Sequence, residues 1–99
     1  MAADWDRVAR MEAILDESDA TAADMERALE RMDALRNGMT VLFQYYGSED
    51  WHADREADKL ANVKAGVLSE DAVYDLITRL RDLSFRMLET ATDVLKNRI

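Results

Sequence analysis

The sequence predicts an all-α fold: an antiparallel helical bundle of three main helices, with a short helical or irregular segment between the two long ones. Three observations lead there. The 99 residues hold no proline and only three glycines, the two residues that helices tolerate least. Ala, Leu, Met, Glu and Arg are abundant, and such side chains lose little rotamer freedom in a helix. Apolar residues also recur at seven-residue spacing over long stretches, the mark of a helix that packs along one seam.

The first helix is expected from about Asp4 to Asp16, with Val8, Met11, Ile14 and Leu15 as its apolar stripe. Asp4 and Asp6 suit the positive end of its dipole. Ser18-Asp19-Ala20-Thr21 reads as a turn, and Thr21 with Asp24 as a variant capping box. The second helix then runs from about Ala22 to Tyr46. Met25, Met32, Met39 and Tyr46 form one heptad row, and Ala28, Leu35 and Leu42 a second. Asn37-Gly38 interrupts the composition, but the seam keeps its phase, so the helix is expected to continue. Gly47 should end it. Ser48 is placed to cap a short helix carrying Trp51, Arg55 and Asp58, and Leu60 and Val63 to add a turn of apolar contact.

Ser69 is the expected N-cap of the third helix, with Glu70 and Asp71 in its first turn and Leu68 and Val73 at staple positions. Val73, Leu80, Met87 and Val94 make its seam, beside Ile77, Ser84 and Ala91. Asp75 with Arg79 and Asp82 with Arg86 stand at i,i+4, and Lys96 and Arg98 complement the C-terminal dipole. The helix should end near Asn97. The two long helices, at roughly 25 residues and about 38 Å each, exceed the first by a factor of two. Part of the long pair is therefore left for either the 48–66 segment or a second chain to cover, the latter making a homodimer.

The length bounds the chain to one domain, residues 1–99. The net charge of −8, from 13 Lys and Arg against 21 Asp and Glu, opposes nucleic acid and anionic membranes. A protein partner or a second copy suits it better. Cysteine is absent, which excludes disulfide and thiolate chemistry. The opening residues predict no secretory leader, and no apolar run approaches the ~18 residues of a membrane span. A cytoplasmic protein is expected.

Three segments resemble a known family: Tyr45-Tyr46-Gly47-Ser48-Glu49-Asp50-Trp51, Gly66-Val67-Leu68-Ser69-Glu70-Asp71-Ala72-Val73-Tyr74-Asp75-Leu76, and Arg86-Met87-Leu88-Glu89-Thr90-Ala91-Thr92. They resemble a bacterial family catalogued as a domain of unknown function, number 4298. The resemblance runs from the first helix to the end. It implies a small helical bacterial protein and carries over no activity. One departure is visible: the family's link after Asp-x-Glu-Ala-Asp is longer and holds a Gly and a Pro. Here Asp54-Arg55-Glu56-Ala57-Asp58 is followed by a short Lys59–Ala65 without proline.

Candidate chemistry is sparse. His52 is the only histidine, and Glu49 with His52 has the E-x-x-H spacing of di-metal bundle sites. Those sites need two such motifs and two further glutamates. His52 and Glu56 lie at i,i+4, and Asp50, Asp54 and Asp58 at i,i+4,i+8. The plainer reading is a solvated acidic face, and no metal or cofactor is expected. Tyr45, Tyr46, Trp51 and Tyr74, near His52, Asp54 and Glu70, form the candidate binding surface. The plainer alternative is that these aromatics plug the end of the bundle. The row Met25, Met32 and Met39 is the candidate self-association surface, against ordinary core.

Enzymatic readings have less support. Ser48 or Ser69 with His52 lacks any nucleophile-elbow or triad spacing. The chain faintly resembles all-helical chorismate mutases, but these need a basic cluster with a lysine on the second helix, and that helix has none. The expectation is a small acidic interaction module that associates with itself. The alternative is a metal- or small-ligand-binding enzyme centred on His52 and its carboxylates.

Overall fold

The structure, a computed structural model, describes residues 2–58 and 66–97, with the side chain of Asp58 left aside. The described residues form helix α1 (Trp5–Tyr45), helix α2 (Glu49–Asp58), a single 3-10 turn (Gly66–Leu68) and helix α3 (Glu70–Lys96), with no strand among them. The all-α class is as expected. Its partition differs: the first two expected helices are one, and the expected short segment is α2.

The turn expected at Ser18–Thr21 does not form. No glycine or proline lies there to stop the helix, and the seam holds its phase through it, since Met11, Ser18 and Met25 are seven apart. Thr21 does not cap a helix. Its hydroxyl donates to the Glu17 carbonyl one turn back, at 2.8 Å, as threonine does inside helices. The N-cap is Asp4, whose carboxylate accepts from the Arg7 N–H at 3.1 Å. Asn37-Gly38 is spanned without a break, as the seam implied.

Gly47 ends α1 as expected. Its φ of +77° is the left-handed conformation that glycine adopts without strain. The chain reverses there, with the Tyr46 N–H on the Leu42 carbonyl and the Ser48 N–H on the Tyr45 carbonyl. Ser48 then caps α2, its hydroxyl accepting from the Trp51 N–H at 3.2 Å. Ser69 caps α3 in the same way, accepting from Ala72 N–H at 3.1 Å. The helix ends at Asn97, near the expected point.

Asp75–Arg79 and Asp82–Arg86 do not close as ion pairs among the described residues; the helical pairs that form are Asp24–Arg27 and Asp33–Arg36, both at i,i+3 on α1. Exposed pairs of this kind are worth under about 1 kcal/mol, so rotamer entropy readily decides which of them form. Leu60, Val63 and the Lys59–Ala65 link lie outside the described residues, as does Arg98.

The chain divides into two compact units, Met1–Met39 and Thr40–Ile99. The first is helical from Trp5 onward, with most of its large apolar side chains exposed. The second holds the buried residues: among those described, only Trp51 (4 % exposed) and Val73 (3 %) are buried.

Candidate functional site

The end of α1, helix α2 and the start of α3 meet around Trp51. Its ring lies edge-on to Tyr46, with centroids 5.3 Å apart, and to His52 at 4.9 Å. Its indole N–H donates to the Val67 carbonyl at 2.9 Å, tying α2 to the 3-10 turn. The Arg55 guanidinium sits 5.1 Å from the ring centroid and also pairs with Glu70 at 3.1 Å. Arg55 follows Trp51 by four residues, so one helical turn sets the cation on the ring.

The two tyrosines extend this clasp. Tyr46 donates its hydroxyl proton to the Glu70 carbonyl, and Tyr45 to the Asp54 carboxylate, both at 2.6 Å. The hydrogen bond to Asp54 is the main reason that the Tyr45 phenol is pushed up to about 12. Partial desolvation and the negative charges of Asp54 and Asp50 act in the same direction. Tyr45 therefore stays protonated near neutrality and cannot serve as a base.

Of the expected binding residues, Tyr45, Tyr46, Trp51, His52, Asp54 and Glu70 come together. Tyr74 does not join these contacts; it is exposed and borders a shallow depression along α3 with Thr78, Arg79, Leu83 and Arg86. A second depression, by Leu88 and Thr92, is likewise lined by α3 alone. A single convex helix cannot enclose a small molecule. Arg55, Ser48 and the Val67 carbonyl belong to the clasp and were not among the expected binding residues.

The polar tips of Tyr45, Tyr46 and Trp51 are each bonded to a partner within the clasp. The serines weighed as nucleophiles are both helix caps, and among the described residues neither hydroxyl bonds the His52 imidazole; the His52 backbone N–H donates to the Ser48 carbonyl. Among the described residues no three His, Cys, Asp or Glu side chains converge as metal ligands, so His52 with Glu49 or Glu56 stops short of a coordination set. Of the expected self-association row, Met25 is exposed, and Met32 and Met39 are half-buried. No described helix is long and apolar enough to cross a membrane.

The model of a family described as a domain of unknown function, DUF4298, matches residues 8–90. No curated protein and no solved structure matches the chain. The matched span takes in the clasp and most of both α1 and α3, and the chain belongs to the DUF4298 family.

Proposed function

We propose that this protein is a protein–protein interaction module that associates with itself through the apolar seams of its two long helices. The observation that carries this reading is exposure. Met11, Ile14, Leu15, Met25, Leu29 and Leu35 on α1 are each 51–60 % exposed, and Met87 on α3 is 49 % exposed. These residues keep heptad phase, so they form continuous strips and not scattered surface positions. Covering half of such a side chain stabilises by about 1 kcal/mol. Summed over the seams of two copies, that is on the order of 10 kcal/mol gross, the size of a small domain's whole stability.

Length supports the same reading. Helix α3 has 27 residues against 41 in α1, so one α3 is too short to cover all of α1. The bundle that the seams call for is completed between copies. The clasp around Trp51 has an architectural role: it ties the start of α3 to α2 and the end of α1. The cysteine-free sequence and the family resemblance support a bacterial cytoplasmic setting.

The test replaces Met25 and Leu29 with glutamate and measures mass by light scattering. Both positions are exposed within one copy, so M25E/L29E should keep its helical circular dichroism and lose association. A wild-type chain that is monomeric, or a variant that associates as tightly as wild type, would overturn the reading.

A further inference from the structure

Helix α1 is charged unevenly. Between Met11 and Glu26 it carries six acidic residues and no basic one. They flank the apolar seam on both sides: Glu12, Asp19 and Glu26 recur every seven residues on one flank, and Glu17 and Asp24 on the other. Helix α3 shows the opposite sign over the short stretch 79–86, where three arginines outnumber Asp82. Arg79 and Arg86, seven apart, flank its seam on one side, and Arg81 on the other.

Most of these charges lack an ion-pair partner: among the described residues Arg79, Arg81 and Arg86 form no ion pair, and of the six acids only Asp24 does, with Arg27. The seams between these rows are open too, with Met11, Ile14 and Leu15 on α1 and Leu83 and Met87 on α3 all exposed. Arg79 and Arg86 border a depression with Tyr74 and Leu83, and Asp75 and Asp82 line it too. Arginine and tyrosine around an apolar strip are the side chains that interfaces favour.

We infer that the acidic half of α1, residues 11–26, docks on the arginine-flanked seam of α3 from a second copy, so that two copies exchange two equivalent α1–α3 contacts. This rests on the self-association reading above and says which surfaces meet. Charge decides between the candidate pairings. Laid against the same stretch of a second copy, residues 11–26 would bring six acids against six. Laid against residues 79–86 of α3, acids meet arginines in either helix orientation, because arginine stands on both flanks of that stretch. Such flanking charges choose partners in paired helices. The exchange is closed by a two-fold axis, the commonest symmetry of soluble oligomers.

The test uses two full-length variants in sedimentation equilibrium. One carries Glu12→Arg, Asp19→Arg and Glu26→Arg; the other carries Arg79→Glu, Arg81→Glu and Arg86→Glu. Each alone should dimerise on the order of a hundred-fold more weakly than wild type, since like charges then face each other. An equimolar mixture should regain a heterodimer of near wild-type affinity, because both of its contacts are again complementary. An arginine-reversed chain that dimerises like wild type would overturn the α1–α3 pairing and leave self-association standing. So would two weakened variants that do not rescue each other. A monomeric wild type would overturn both readings. Salt gives a check that needs no variant: the wild-type dimer should weaken as salt is added, whereas acid facing acid would tighten.

Discussion

Replacing Trp51 with phenylalanine should destabilise the Thr40–Ile99 unit far more than the same change at Trp5. Trp51 is one of two buried residues among those described, and its indole N–H holds the Val67 carbonyl at 2.9 Å. Phenylalanine keeps an aromatic edge for Tyr46 but leaves that carbonyl without its donor, a loss of about 1–2 kcal/mol. The weaker face offered to Arg55 removes about 0.5 kcal/mol more. The smaller ring gives up packing worth about 1 kcal/mol. The sum is about 3 kcal/mol. For a unit of this size each kcal/mol moves the midpoint by about 4–8 °C, so W51F should melt roughly 10–20 °C below wild type. Trp5 is 73 % exposed, and W5F should stay within about 0.5 kcal/mol of wild type. Thermal melts followed by far-ultraviolet circular dichroism, at one protein concentration, make the comparison. A W51F midpoint lowered by less than about 4 °C, or equal shifts for the two variants, would refute the claim that Trp51 holds this unit together.

Three further outcomes follow from local geometry. Alanine should act with opposite sign at two glycines that both have open space around them. Gly38 lies within α1, where G38A should stabilise by up to about 1 kcal/mol, whereas G47A should destabilise by about 1 kcal/mol, because φ there is +77°; urea titration reads both. Ser69→Ala removes the α3 cap and should cost about 1 kcal/mol in the same titration, with Ser69→Asp restoring most of it. Tyr45 should titrate near 12, and in Asp54→Ala it should fall back toward the ordinary phenol value of about 10, as read by NMR of ring-labelled tyrosine. The sign follows from that upward shift: the stability Tyr45 contributes is intact below about pH 10, its unfolded pKa, and is lost as pH rises toward 12. Asp54→Ala should remove that part of the alkaline loss, and an unchanged alkaline profile would count against the Tyr45–Asp54 link.

The helix ends were largely legible in the sequence because capping is a local rule. Ser48, Gly47 and Ser69 carry their own instructions within three residues, and each does what its type and position imply. The break at Ser18–Thr21 was misread for a related reason. Small polar residues signal a cap only where the helix has cause to stop, and here neither a breaker nor a loss of phase supplies one. The spacing from Met11 through Ser18 to Met25 held that information. The clasp was half legible. Its aromatics are conspicuous and Arg55 stands one turn from Trp51, but the bonds from Trp51 to Val67 and from Tyr46 to Glu70 join residues 16 and 24 apart. No local rule fixes such a distance; it depends on how the chain returns from α2 to α3. The two seams were plain as patterns, yet periodicity states only that a face will be covered, not by what.

Sedimentation equilibrium of the wild-type chain over a wide concentration range tests that last point most directly. The expected result is a reversible dimer whose apparent mass falls to that of one chain on dilution. A chain that stays monomeric at every concentration, with helical content unchanged, would contradict it.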